Sequence, residues 1–214
     1  MARSHVNQFS EFPYHITGRI LNRESFRLPL ARVWLIMAEQ LWLACHVDGL
    51  KIHSFVLMPN HFHLIATTST NPLFVPMERI MRDTSKELNL ETQRMNQNWG
   101  GRHYKCVLTS YHYFSNTYKY VYQNPVRANL CKRVEDWPFS TLGGLLGHRH
   151  SFIPVQEDTI LFNENRLDET ALHWLNQPIQ KQDLSAMRMA LVKKQFSLSK
   201  GTMKKHHKLE NHLI

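Results

Sequence analysis

Apolar residues recur along this chain at two different periods, and the switches between them mark the elements. Phe12 to Ile20 has the β-branched and aromatic content of a strand, and Asn22-Arg23-Glu24-Ser25 follows as a turn. From Leu28 to Val47, Val33, Ile36, Met37, Leu41 and Ala44 fall at helical spacing, and Asp48-Gly49 closes that helix. Lys51 to Met58 and His61 to Thr68 read as two strands around a Pro59-Asn60 turn, which makes them a hairpin. Phe74 to Met95 sets Met77, Ile80, Met81 and Leu88 among charges, the pattern of an amphipathic helix, and Asn98-Trp99-Gly100-Gly101 breaks it. Tyr104 to Ser110 is a short strand, and Ser115 to Gln123 is helical until Pro125 interrupts it.

The order β-α-β-β-α-β, followed by a further helix, predicts an α+β fold. It fits a ferredoxin-like split βαβ sandwich, an antiparallel sheet with helices on one face. After about Gly147 the character changes. Asp168 to Asn176 and Asp183 to Lys194 read as short helices, and Ser199 to Lys208 is a basic, polar tail. The expected organisation is a domain over residues 1–147 and a helical extension with a basic tail over 148–214.

Composition narrows the function. Hydrophobic residues make up 43% of the 214 positions, enough for a packed core. The formal net charge of +9 points to an anionic partner, and for a folded basic chain nucleic acid is the first choice over an acidic membrane. The three cysteines, Cys45, Cys106 and Cys131, are widely spaced and form no CxxC pair, which argues against a thiolate zinc knuckle and against a disulfide framework. A reducing compartment follows. The N-terminal stretch has no apolar signal core. The most apolar run, Val33 to Val47, holds Glu39, Gln40 and His46 and is too short to span a bilayer, so no membrane association is expected.

Two short patterns carry candidate chemistry. His61 and His63 stand two apart on a strand, so both imidazoles share a face and can reach one metal while Phe62 and Leu64 turn to the core. Two histidines on a half-buried strand are also a common structural arrangement. Tyr120 and Asn124 stand four apart on a helix and share its face. Tyrosine supplies a nucleophile that can form a covalent intermediate, and asparagine a neutral oxygen ligand. Tyr118, Tyr120 and Tyr122 read equally as an aromatic helix packed on a sheet, with Asn124 as a cap before Pro125.

Together these motifs match a known family. Val56-Leu57-Met58-Pro59-Asn60-His61-Phe62-His63-Leu64-Ile65 resembles the His-hydrophobic-His strand of the IS200-like single-tyrosine transposases. Tyr120-Val121-Tyr122-Gln123-Asn124-Pro125-Val126-Arg127-Ala128 resembles the tyrosine helix of their REP-associated branch. His15-Ile16-Thr17-Gly18-Arg19 with Asn22-Arg23-Glu24 is similar to that branch's first strand and turn, Gly101-Arg102-His103-Tyr104-Lys105 to the start of its fourth strand, and Glu135-Asp136-Trp137-Pro138-Phe139-Ser140-Thr141 to its post-helix segment. The resemblance spans roughly residues 10–147; Asn96-Gln97-Asn98-Trp99-Gly100 is less regular than the family pattern, and the region after Gly147 carries no family motif.

The resemblance implies a ferredoxin-like enzyme that cuts single-stranded DNA at or near hairpins with a divalent metal, Mg or Mn. By it, His61 and His63 match the two histidine ligands, Tyr120 the nucleophile and Asn124 the third ligand. It implies a 5′-phosphotyrosine intermediate that a free 3′-hydroxyl can reverse, action on repeated extragenic palindromes at the bacterial nucleoid in the cytoplasm, and a monomer or a homodimer. The ligand types alone would suit a softer metal such as zinc. Arg19, Arg23, Arg102, Lys105, Lys119, Arg127, Lys132 and Arg133 cluster around these motifs as candidate phosphate contacts, each also readable as an ordinary surface charge. Trp99 and His103 could stack on unpaired bases, Trp99 equally as a core plug, and the Lys193-Lys194 and Lys204-Lys205-His206-His207-Lys208 clusters could hold a DNA stem. Two other readings remain: a palindrome-binding protein that does not cut, and a zinc hydrolase using the histidines without Tyr120.

Overall fold

The computed structural model describes residues 12–156, 159–163, 166–167, 169–198, 209 and 212–214. It sets β1 (Tyr14–Arg19), β2 (Leu50–Met58), β3 (His61–Thr68) and β4 (Tyr104–Val107) in one antiparallel sheet of order β2-β3-β1-β4. This is the α+β, split βαβ arrangement: β2 and β3 pair as a hairpin, and the helical connection from β1 to β2 skips the place that β3 fills. Helices α1 (Leu30–Asp48) and α2 (Phe74–Thr92) supply the two crossovers. Gly49 ends α1 in the left-handed region at φ 72°, where a Cβ would meet Thr70 Oγ1 at 2.2 Å. Beside it Arg79 of α2 donates to the buried Asp48 carboxylate at 2.8 Å, tying the two helices together.

Both helices lie on one face of the sheet, as the pattern predicts. Ile16, Phe55, Leu57, Phe62 and Leu64 point at them and pack with Val33, Met37, Leu41, Met77 and Ile80. The opposite face is not left open. Val56, Met58, Ile65 and Cys106 pack there against Tyr118, Val121 and Tyr122 of α3 (Tyr111–Tyr122). The run Leu64-Ile65-Ala66 explains this, because consecutive apolar residues on a strand need cover on both faces. α3 begins earlier than the apolar period indicated, since the Ser110 hydroxyl accepts from the backbone N–H of Tyr113 at 3.2 Å and caps it.

Beyond α3 come α4 (Asn124–Arg127), α5 (Leu142–Leu145), the two-residue strands β5 (Phe162–Asn163) and β6 (Arg166–Leu167), α6 (Glu169–Asn176) and α7 (Lys181–Leu191). The expected boundary at residue 147 does not separate two cores. Leu175, Met187, Ala190 and Phe196 join the cluster built on α3 and the sheet, because α3 has more apolar surface than the sheet alone can cover. The later chain also seals both sheet edges. Residues 139, 141 and 156 bond to the outer edge of β2, and Val107 of β4 exchanges bonds with Lys194 and Phe196 at 3.0 and 2.9 Å. The basic segment Ser199–Lys208 lies outside the described residues. No helix among the described residues is long and apolar enough to cross a membrane.

Candidate active site

The strand β3 places His61 and His63 on the face that carries α3, with ring centroids 5.0 Å apart. Register sets His61 opposite Arg19 of β1 and Met58 of β2, and His63 opposite Thr17 and Val56. Phe62 and Leu64 turn into the core on the other face. The pairing follows from the two-residue repeat of a strand.

Each imidazole has its Nδ1 engaged. Asn60 donates from Nδ2 to the Arg23 carbonyl at 2.9 Å, which fixes its amide and leaves Oδ1 facing His61 Nδ1 at 2.6 Å. His61 is therefore protonated on Nδ1, and its Nε2 keeps a lone pair. His63 Nδ1 lies 3.0 Å from Nε2 of His15, a β1 residue only 4% exposed, and the two rings are within 21° of parallel with centroids 5.2 Å apart. The sequence pattern marks His15 only as part of a strand motif. Burial pushes the pKa of His15 down to about 4. Burial and then the Arg19 charge push His61 to about 4. His63 is held well below its ordinary value by burial first, then by His15, His61, Arg127 and Arg19. All three are neutral at neutral pH, the state a metal ligand needs.

Tyr120 meets this group from α3. Its ring stands edge-on to His63 at 5.9 Å and to His15 at 6.3 Å. Its hydroxyl makes no hydrogen bond among the described residues and is not one of the sealed, unsatisfied groups. Tyr122, by contrast, is 1% exposed and shares a 2.9 Å hydrogen bond with Thr141 Oγ1, and Tyr118 is wholly buried. Of the three tyrosines, only Tyr120 is turned to the histidines.

Arg127 closes the site behind the tyrosine, braced by Asn124. Pro125 has no N–H to bond the Val121 carbonyl. Asn124 Nδ2 supplies the missing donor, reaching the Tyr120 and Val121 carbonyls at 3.0 and 3.3 Å, while its Oδ1 accepts from Arg127 Nη2 at 2.7 Å. The Arg127 guanidinium lies 4.3 Å over the Tyr120 ring, and Nη1 donates to the Tyr120 carbonyl at 3.2 Å. Its Nε is buried without a partner, and no carboxylate of the described residues pairs with it. Burial pushes its pKa down to about 10.

The remaining basic candidates divide. Arg19 is exposed and stands directly across from His61; Arg23 is exposed and its carbonyl anchors Asn60; Arg102 is exposed just before β4. Lys105 pairs across from Ile16, so it leaves the sheet on the α1–α2 face, away from the histidines, with Nζ 5.9 Å from the Tyr14 ring. Lys119 must be withdrawn as a phosphate contact. It is 1% exposed, donates to the Ile214 backbone oxygen at 2.6 Å and sits 4.9 Å over the Trp174 ring, because α3 is covered on that side too. Lys132 and Arg133 are exposed beyond α4, with Arg133 paired to Glu135. Trp99 is a core residue, 5% exposed, donating from Nε1 to the Met81 carbonyl at 2.8 Å. Tyr104, which the sequence marks only as the start of a strand, is 70% exposed across Thr17 from His63, on the same face. The parity of β1 and β4 is the signal that places it there, but register is needed to read it.

Among the described residues no group of three or more His, Cys, Asp or Glu side chains is arranged to hold a metal. The donors on offer are Nε2 of His61, Nε2 of His63 and an amide oxygen. Neutral imidazoles with their Nδ1 atoms already bonded fit a cation. The Asn124 oxygen already accepts from Arg127 and has one lone pair left.

Comparison with solved structures finds a REP-associated tyrosine transposase bound to a REP hairpin, 20% identical with a TM-score of 0.56, over 73% of this chain and 93% of that one. A candidate transposase from Deinococcus radiodurans R1 is 18% identical with a TM-score of 0.37, over 56% of this chain and 94% of that one. A scan against protein-family models and a search of curated proteins find no match. The first likeness shows a shared fold.

Proposed function

We propose that this chain is a metal-dependent single-strand DNA nicking and strand-transfer enzyme of the IS200-like single-tyrosine group, REP-associated branch, acting on hairpin or palindromic DNA. The observation that carries the reading is the convergence of one tyrosine on two neutral histidines beside a buried guanidinium, with, among the described residues, no hydrogen bond to the tyrosine hydroxyl and no carboxylate to balance the guanidinium. The fold shared with a transposase bound to a REP hairpin supports hairpin DNA as the substrate class.

In this reading Tyr120 is the catalytic nucleophile. Its oxygen forms a bond to the scissile phosphorus, the P–O3′ bond breaks, the phenolic proton is given up, and the departing O3′ takes a proton to become a hydroxyl. The 5′-phosphotyrosine retains the diester's energy, so a 3′-hydroxyl can reverse the step, which makes the chemistry strand transfer. A divalent ion, Mg or Mn, held by His61, His63 and Asn124 would withdraw charge from the phosphate. Arg127 fixes the tyrosine ring from one side and offers a cation to the phosphate from the same position. Arg19, at the exposed end of the histidine face, binds backbone phosphate, with Arg23 and Arg102 extending the track. The protein works as a monomer or a homodimer at the bacterial nucleoid.

The test is a denaturing gel of the protein incubated with a labelled hairpin oligonucleotide and Mg or Mn. A covalent adduct that is lost in Tyr120→Phe supports the reading. Binding without any cleavage would make the chain a palindrome-binding protein, and cleavage surviving in Tyr120→Phe would sink the tyrosine mechanism.

A further inference from the structure

We propose that His15 is a positioning residue that holds His63 in the tautomer able to bind metal. The inference rests on the proposed metal site at His61 and His63. A single proton lies between His15 Nε2 and His63 Nδ1, which are 3.0 Å apart. If His15 donates it, the proton of neutral His63 must sit on Nε2 and no lone pair is left for a cation. If His63 donates it, Nε2 of His63 carries the free pair. A metal selects the second arrangement, with His15 as acceptor. This repeats what Asn60 does for His61, where the carbonyl of Arg23 leaves only one orientation of the amide. Two neighbouring ligands are thus served by two different acceptors on the same ring atom.

His15 is not itself placed as a ligand, because its Nε2 is spent on His63. It is buried on β1, its ring nearly parallel to that of His63 and joined to it edge to edge through the two nitrogens, with the Tyr120 ring perpendicular to both. It therefore also fixes the plane of the His63 ring and opposes a flip that would put Cδ2 and Cε1 where Nδ1 and Nε2 stand. Outer hydrogen-bond partners of metal-binding histidines raise metal affinity by about ten- to a hundredfold.

The experiment is titration of the full chain with Mn(II) in the absence of DNA, following free Mn(II) by electron paramagnetic resonance, with circular dichroism to confirm folding. Wild type, His61→Ala, His15→Leu and His15→Gln are compared. We expect His15→Leu to bind Mn(II) about ten- to a hundredfold more weakly. His15→Gln should recover most of the loss, because its amide oxygen reaches the place of Nε2 and accepts the same proton. Folded His15→Leu binding Mn(II) like wild type would overturn the inference while leaving the metal site standing, as would His15→Gln failing alongside it. Wild type binding no Mn(II), or binding it unchanged in His61→Ala, would remove the metal site and this inference with it.

Discussion

Arg127 and Lys119 stand eight residues apart, carry the same charge and look alike as phosphate contacts in the sequence. The structure separates them, and replacing each with methionine tests the separation. Burial holds the Arg127 pKa at about 10 where the ordinary value is 12.5, with no carboxylate of the described residues in compensation. That difference corresponds to an electrostatic cost of about 3 kcal/mol, which a bound phosphate would partly offset. Taking two-thirds of it as recoverable, Arg127→Met should weaken single-stranded DNA binding by about 2 kcal/mol, roughly thirtyfold. It should also make the slope of log affinity against log salt shallower by about 0.7, the share of one phosphate on a single strand. Lys119→Met should leave that slope unchanged, because the ammonium is 1% exposed and bonded to the Ile214 backbone oxygen. Its effect should appear as altered thermal stability. Fluorescence anisotropy of a labelled oligonucleotide over a range of salt concentrations gives both slopes. Equal slopes for wild type and Arg127→Met, or a shallower one for Lys119→Met, would refute the assignment.

Three further outcomes are expected. Because burial lowers the folded pKa of His15, His53, His61 and His103 to about 4 from 6.5, the unfolded chain takes up protons first as pH falls. Stability should be steady above about pH 6.5 and fall by about 1.4 kcal/mol per pH unit for each such histidine down to about pH 4; urea melts across that window check it, and a flat profile contradicts it. Gly18→Ala should cost about 1–3 kcal/mol, since a Cβ there meets the Phe62 ring at 2.5 Å and Phe62 is fully buried; the same melts at neutral pH decide, with an unchanged midpoint as the contrary result. Tyr104→Ala should weaken single-stranded DNA binding by about 1–3 kcal/mol with an unchanged salt slope, as loss of a stacked base predicts for a 70% exposed ring on the histidine face; a binding isotherm identical to wild type would rule the stack out.

Local period was enough to read the sheet, both crossover helices and the shared face of His61 and His63, because each depends on residues a few positions apart. The capping role of Asn124 was legible too, as the consequence of Pro125 leaving a carbonyl without its donor. What escaped the sequence depends on register and on packing at long range. His15 and His63 are 48 residues apart and meet only because β1 pairs with β3 in one particular alignment. Lys119 looked exposed because a helix with one apolar stripe usually has a wet side, whereas Ser115 to Tyr122 is buried all round. The residues that bury it come from beyond residue 147, where no motif announced that they would return to the same core.

That return sets an order in time. Val107 waits for Lys194 and Phe196, almost ninety residues later, before its outer edge is paired. At about 5–20 residues per second, a ribosome needs on the order of ten seconds to supply them. For that interval the β4 rim of the emerging sheet is unpaired, although residues 139, 141 and 156 have already reached the β2 rim, and the apolar back of α3 lacks Met187 and Phe196. An unpaired rim is a template for pairing with another chain. The later third of the chain therefore acts as a folding clasp, and a chain shortened to the first 147 residues would keep the β4 rim and the back of α3 uncovered, a state that the full chain only passes through.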